Sequence, residues 1–396
     1  MPECQTSAVA VFDDSLTRYN FGPGHPMSPL RVDLTMRLAD ELGLFSGPGA
    51  LQRVDAPVAD DELVGTVHLV RLMNAVREAG HGGAGDERLG IGTEDNPIFD
   101  RMHEAGAHVV GATVEACRQV WQGDAGHAAS IAGGLHHAMP DRISGFCVYN
   151  DVAVGIQWLL DHGAQRVAYV DVDAHHGDGV ERIFWDDPRV LTISLHETGQ
   201  VLFPGTGFPA DTGGRQAEGS AANVALPPGT GDAGWLRAFH AVVPPLLEEF
   251  RPDVLVSQHG CDSHVEDPLT HLSLSVDGQR AGHAAVHQLA HEHAGGRWVA
   301  VGGGGYELVG VVPRTWTHLL SEVAGRPLPS DLDVPTRWLD HVQQRLGLDG
   351  PKRMTDGGRT DYRPWSEGYD PEQWLDAAVH EARLAVFPLH GLDPMP

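Results

Sequence analysis

Residues 166–180 read RVAYVDVDAHHGDGV, and the change of character along this stretch decides the fold. Val167-Ala168-Tyr169-Val170 is a short apolar run of the kind that forms a strand buried on both faces of a parallel sheet. The chain then turns polar at Asp171, Asp173, His175, His176 and Asp178. Side chains two apart on an extended chain point to one side, so Asp171, Asp173 and His175 can converge at the strand end, while Gly177 and Gly179 permit a tight turn. Two carboxylates and an imidazole so placed suit a divalent metal. One Asp-x-His triplet reads equally well as an ordinary loop; the density of such groups here favours the metal.

The same switch from apolar run to polar cluster recurs. Ala128–Ala132 leads into Gly133-Gly134-Leu135-His136-His137, Val254–Ser257 into Gln258-His259-Gly260-Cys261-Asp262, and Trp298–Val301 into Gly302-Gly303-Gly304-Gly305-Tyr306. Further strands are expected at Ala8–Phe12 and Val190–Leu195. Helical spacing covers residues 98–120, 152–160, 179–185 and 232–250, and Asp277 is expected to cap a helix running to His293. Ser28, Pro29 and Gly43 bracket another helix, with Leu30, Leu34, Leu38 and Leu42 on one face. Such alternation predicts an α/β fold, a parallel sheet covered by helices on both faces, with its site outside the carboxyl ends of the strands. The Gly-rich segment 80–95 reads as a mobile surface loop.

The chain has 396 residues, enough for one large domain or two ordinary ones, and 54 acidic against 27 basic residues give a formal charge of −27. That balance repels nucleic-acid phosphates and anionic membranes and favours cationic partners; it also serves simply to keep an enzyme dissolved. Direct nucleic-acid or membrane binding is therefore not expected. Cys4, Cys117, Cys147 and Cys261 lack zinc-finger or C-x-x-C spacing, and most of them read as small buried residues. With no targeting segment and no long apolar run, the reading is a cytoplasmic protein.

Asp173, His175 and Asp262 make an oxygen-rich set with room for water or substrate, the arrangement of a catalytic metal; zinc is the first expectation and iron(II) the second. The His136-His137 pair supplies a base and an acid, with Asp171 and Asp178 as spare carboxylates to orient them. Tyr306 follows a glycine run and can donate its hydroxyl to an oxyanion. Arg31, in the first turn of its helix, opposes the helix dipole, so it is either solvated or reserved for an anion or a carbonyl, and on its own it reads as solvated.

At this point the residues resemble a known family. GHPMSPLR (24–31), EDNPIF (94–99), GGLHHA (133–138), SGFCVYND (144–151), DVDAHHGDG (171–179), FPGTG (203–207), GCD (260–262) with DP (267–268), and GGGGY (302–306) are similar, in order, to the motifs of zinc-dependent histone deacetylases of the class I type, and above all of the bacterial acetoin-utilisation branch. The resemblance implies an arginase/deacetylase-like fold with an eight-stranded, predominantly parallel sheet, and hydrolysis of acetyl-lysine. It implies zinc on Asp173, His175 and Asp262; His137 with Asp178 as base and then acid; His136 with Asp171 as electrostatic partner; and Tyr306 as oxyanion donor. Asp95 would hold substrate backbone at the rim, and Gly145, Phe146, Phe203, Leu269 and Gly304 would contact substrate in a tunnel. Arg31 would belong to an internal acetate channel, reversing the unaided reading. Structural K⁺ or Na⁺ would sit at Asp171, Asp173, His175, Ser194 and Leu195, and at Phe184, Asp187, Val190 and Ser220. The implied partner is an acetylated protein or peptide, with acetyl-CoA synthetase the family-implied target.

Residues 1–325 then read as a catalytic domain and 326–396 as a helical extension packed on it, with Trp338, Leu339, Val342 and Leu346 as one amphipathic stripe and residues 370–373 as a capping box. Two other functions stay open: deacetylation of a small molecule of the acetylpolyamine type, and non-catalytic binding of acyl-lysine. A binder needs neither a base nor an oxyanion donor.

Overall fold

A computed structural model describes residues 7–396. Among the described residues, eight strands form one all-parallel sheet: β1 (Ala8–Val11), β2 (Gln52–Val54), β3 (His127–Ser130), β4 (Val167–Asp171), β5 (Val190–Glu197), β6 (Ala221–Leu226), β7 (Val254–Gln258) and β8 (Trp298–Val301). Their order is β2-β1-β3-β8-β7-β4-β5-β6. The helices are α1 (Leu30–Glu41), α2 (Asp61–Val64), α3 (Val70–Gly80), α4 (Met102–Gln122), α5 (Asp151–Asp161), α6 (Asp178–Phe184), α7 (Asp232–Phe250), α8 (Val276–His293), α9 (Val312–Val323), α10 (Thr336–Leu346) and α11 (Trp374–Val386). α4, α5 and α6 form a group against the sheet, and α1, α9, α8 and α7 a second contiguous group, so both faces are covered. Every residue of β3, β4, β5, β7 and β8 is buried, which is why these strands lack an alternation of apolar and exposed polar positions; β5 even buries Thr192, Ser194, His196 and Glu197.

Register is what positions the site. Ser130 pairs with Val301, Val301 with Gln258, Gln258 with Asp171, and Asp171 with Ser194. The carboxyl ends of β3, β8, β7 and β4 are thus level, with β5 running three residues further, to Glu197, and the polar segments that follow them emerge side by side.

Several local expectations change. The short β2 and the small-residue β6 carry no strong strand signal and were not among the expected strands; parallel pairing to β1 and β5 makes them. Helix α4 starts at Met102 rather than near Ile98, because Arg101 takes a left-handed conformation with φ 55°. Ser275, not Asp277, caps α8 by accepting from Gly278 N–H; Asp277 instead accepts from Asp356 and Gly358 N–H. The capping box at 370–373 does not form, since Asp370 accepts from Glu372 N–H and α11 begins without a side-chain cap. Segment 80–95 is tied down rather than free: Asp86 bridges Ile91, whose side chain is buried, and the Leu89 carbonyl accepts from Ile143 N–H. Cys117, Cys147 and Cys261 are buried free thiols, while Cys4 lies outside the described residues.

Residues 326–396 wrap the first part of the chain through specific polar ties. Trp338 Nε1 donates to the Leu34 carbonyl of α1 at 2.9 Å. Asp356 accepts from His264 Nε2 at 3.0 Å, Val276 N–H at 2.8 Å and Arg314 Nη1 at 2.7 Å, and these bonds hold its carboxyl well below the usual range against the opposing effect of burial. Arg237 of α7 is buried, pairs with Asp376 of α11 at 2.7 Å, and donates to the Arg363, Pro364 and Gly368 carbonyls.

Arg237→Met should destabilise the chain by about 3–5 kcal/mol, because it strands the buried Asp376 charge, whereas Arg237→Met with Asp376→Leu should recover most of the loss in urea denaturation. Burial works against the Asp376 charge, but Arg237 and the Asp370 N–H hold its pKa below the ordinary value. Its stabilising contribution is therefore present above the unfolded carboxylate value near ~4 and is lost as pH falls below it. Arg237→Met should flatten that acid limb.

Candidate active site and metal centre

The segment after β4 delivers two of three clustered donors and β7 the third: Asp173, His175 and Asp262 are all buried, with their ligand atoms within 4.8 Å of one another. His175 Nδ1 stands 2.8 Å from Asp262 Oδ2 and 3.1 Å from Asp173 Oδ1. Burial pushes the Asp262 carboxyl up, and the neighbouring Asp173 pushes it further, to about 6. Two facing, desolvated carboxylates beside one imidazole carry more negative charge than the ring can neutralise, and a divalent cation relieves that imbalance. The donor set fits the metal that the sequence implies.

Neighbouring groups hold these carboxylates in place. Asp173 Oδ2 accepts from Gln258 Nε2 and Gly304 N–H, both at 2.7 Å, and Asp262 Oδ1 accepts from Ala174 N–H at 2.8 Å. A Cβ on Gly304 would lie 2.1 Å from Asp262 Oδ2, so only glycine lets this strand end approach. Gly177 and Gly179 are explained the same way rather than by a turn. Neither has positive φ, and a Cβ on each would strike Asp171 Oδ2 at 2.2 Å and the His136 carbonyl at 2.4 Å.

The histidine pair comes from the loop after β3. His136 Nδ1 donates to Asp171 Oδ2 and His137 Nδ1 to Asp178 Oδ1, each at 2.7 Å, while the two Nε2 atoms lie 3.1 Å apart. Burial disfavours the charged form of both rings, yet Asp171 and Asp173 outweigh it at His136 and raise it to about 9. At His137 burial and the adjacent His136 prevail over Asp178, and its value falls to about 4. The surroundings thus bias adjacent imidazoles in opposite directions.

A cavity of about 200 Å³ leads to this point, lined by Asp95, His137, Gly145, Phe146, His175, Leu202, Phe203, Leu269 and Tyr306. Asp95 is exposed at its rim, and the Asp95 carbonyl faces His25 Nε2 at 3.1 Å. Gly304 is not among the lining residues; its N–H serves Asp173. Phe203 lies 5.0 Å, ring to ring, from His137, and Phe146 lies 5.8 Å from Tyr306. Burial, with Asp262 and Asp173, pushes the Tyr306 hydroxyl well above its ordinary value, so it stays a donor.

Arg31 is buried, not solvated. Its Nη1 donates to the Gly303 and Gly305 carbonyls at 2.8 and 3.1 Å, its guanidinium lies over Tyr306 and Trp316, and among the described residues its buried Nε has no partner. Asp171, Asp173, His175, Ser194 and Leu195 gather where β4 and β5 end; Phe184, Asp187, Val190 and Ser220 lie at the opposite ends of β5 and β6, where Asp187 pairs with Arg189 at 2.6 Å. His176, left without a role by its sequence context, points away from the donors to Thr206 Oγ1 (2.9 Å) and Glu181 Oε2 (3.2 Å) and pins the 203–207 loop.

Four supporting residues carried no distinct role at the level of sequence. Gln258 was visible at a strand end, Asp151 accepts from Gly134 and Leu135 N–H, Asp267 accepts from Tyr306 N–H at 2.8 Å, and Tyr169 donates to Asp171 at 2.7 Å. Tyr19 and Asn96 belong with them. Phe146 sits at φ 67°, a strained position for a bulky residue, and is held there by Asn96 Oδ1, which accepts from its N–H, and by Tyr19.

An all-parallel sheet with this charged constellation at its carboxyl edge defines a hydrolase of the arginase/deacetylase fold. Residues 25–323 match the histone deacetylase domain. The chain belongs to the histone deacetylase family and, within it, to the bacterial AcuC-type deacetylases. The acetoin utilization protein AcuC of Bacillus subtilis (strain 168) is 40% identical over 352 residues, spanning 88% of this chain and 90% of that protein. AcuC of Staphylococcus xylosus is 35% identical over 90% of this chain and 92% of its own length. The crystal structure of an HDAC homologue complexed with SAHA superposes with a TM-score of 0.81 at 26% identity, over 95% of this chain and 99% of that one. No helix among the described residues is long and apolar enough to cross a membrane.

Tyr19 Oη donates to the Phe146 carbonyl at 2.7 Å and accepts from Val148 N–H at 2.9 Å. Tyr19→Phe should therefore cost about 1–3 kcal/mol in thermal unfolding, through two polar groups left unpaired, and should weaken ligands that contact Phe146 more than it weakens metal retention.

Proposed function

We propose that this deacetylase removes acetyl groups from acetyl-lysine side chains of cytoplasmic proteins, with acetyl-CoA synthetase as the target that the sequence motifs' family resemblance implies. The observation that carries this reading is the form of the 200 Å³ cavity: apolar walls from Phe146, Phe203 and Leu269 suit a run of methylenes, and its inner end presents His137, His175 and Tyr306 together.

Asp173, His175 Nδ1 and Asp262 are the groups that would hold zinc, with iron(II) as the alternative. When bound there, such a cation supplies Lewis-acid polarisation of the amide carbonyl and a water of lowered pKa. The remaining steps belong to side chains of the chain itself. Neutral His137, with Nδ1–H fixed by Asp178, takes a proton from the attacking water at Nε2. Water oxygen bonds to the acetyl carbon, and the Tyr306 hydroxyl donates to the oxygen that becomes negative. His137 then returns its proton to the lysine nitrogen as the C–N bond breaks; the remaining water proton passes from the new carboxyl group to the amine, giving acetate and a lysine ammonium. Protonated His136, balanced by Asp171, stabilises the negative charge without giving up its own proton. Asp95 would grip substrate backbone at the rim. Arg31, with an unpartnered buried Nε, is a natural stop for departing acetate, and the two oxygen-rich clusters around β5 would take K⁺ or Na⁺. Residues 1–325 would carry the chemistry, with 326–396 as a brace.

Tyr306→Phe and His137→Ala should each lower kcat by about 10²-fold or more while ligand affinity changes little. Unchanged turnover in both would remove the mechanism. The substrate class is tested by turnover of acetyl-lysine peptides against acetylpolyamines with zinc-reconstituted protein and a chelated control. Faster polyamine turnover would replace the protein substrate, and binding without hydrolysis would make this a reader of acyl-lysine.

A further inference from the structure

Three imidazoles meet at the opposite edge of the sheet from the deacetylase site. His127 opens β3, and His287 and His291 lie four apart on α8, a spacing that puts both on one helix face. His291 Nε2 is 3.2 Å from His127 Nε2 and 3.2 Å from His287 Nε2, and one ligand atom from each ring lies within 4.8 Å of the others.

Hydrogen-bond chemistry leaves these contacts unresolved. His127 Nδ1 faces the Val323 carbonyl at 2.9 Å and His287 Nδ1 faces Glu322 Oε2 at 3.2 Å. Both partners only accept, so each Nδ1 carries a hydrogen, and a neutral ring held that way turns a bare Nε2 lone pair inward. Both inward lone pairs meet the same His291 Nε2. That nitrogen holds either one hydrogen or one lone pair, and so it cannot complete two separate hydrogen bonds in the plane of its ring. Protonating both buried partners instead would place two like charges side by side in the interior.

A divalent cation resolves all three nitrogens at once. Zinc binds imidazole at about 2.0–2.1 Å, which in a tetrahedral site sets nitrogen atoms roughly 3.3–3.4 Å apart, close to the contacts seen here. The Nδ1 partners, a carbonyl and a carboxylate, are those that orient histidines toward metals. His291 is exposed, so the cluster borders solvent and a cation can reach it. We propose that His127, His287 and His291 form a second divalent-metal site, of zinc type, that clips the start of β3 to the last turns of α8 and the end of α9.

Equilibrium dialysis of the full chain against Zn²⁺, followed by metal analysis, tests this. His291→Ala should hold one equivalent less than the wild type and keep deacetylase turnover within about twofold, since it lies away from the substrate cavity. His287→Gln should lose the same equivalent. Asp262→Asn combined with His291→Ala should lose a further one, which separates this site from the deacetylase centre. Zn²⁺ content in His291→Ala and His287→Gln equal to that of the wild type would overturn the proposal, whatever the outcome at Asp262.

Discussion

Two carboxylates that face each other in the interior, Asp173 and Asp262 with His175 between them, set the terms for everything around them. Buried charge of one sign is tolerated only where donors and cations offset it. The chain supplies the donors from three directions: Gln258 from β7, Gly304 N–H from the loop after β8, and the backbone of Ala174 and His175 themselves. Several glycines follow from the same crowding. Gly260 and Gly304 lie so near the carboxylates that any side chain there would displace Asp173 and Asp262.

The parallel sheet makes this arrangement possible by levelling its strand ends. Because Asp171 pairs with Gln258 and Gln258 with Val301, segments distant in sequence start from one plane and reach the same few ångströms of space. The histidine pair enters from the next strand over, and Asp171 and Asp178 give its two members unlike environments. The surroundings bias the two rings in opposite directions, His136 toward the charged form and His137, beside it, toward the neutral one. Tyr306 and Phe146 complete the cavity, each locked by a residue outside it, Asp267 in one case and Asn96 with Tyr19 in the other.

The periphery repeats this logic more loosely. Arg237 and Asp376 neutralise each other where α11 covers α7, and Asp356 ties the last 70 or so residues to His264 and Arg314, close to the loop that carries Asp262. The C-terminal segment thus leans on the site from behind. At the amino ends of the strands the His127 cluster likewise brings together three side chains that could hold a cation.

The fold class, most strand positions and the donor-bearing segments followed from sequence because a buried parallel strand is an apolar run that ends in polar residues, a strictly local pattern. β2 and β6 did not follow, since three exposed or intermediate residues and a run rich in alanine become strands only when a neighbour pairs with them. Arg31 shows the limit: its helix position favours solvent, and only the packing of the Gly302–Gly305 loop across it makes it a buried donor to two carbonyls. Caps at Asp277 and Asp370 failed for a related reason, as each carboxylate found a competing backbone N–H. Sequence by itself determined which groups are available and the strand ends at which they emerge. Tertiary structure alone decided which of them meet, their protonation states and which nitrogens are left facing one another, because those depend on distances between segments that share no local code.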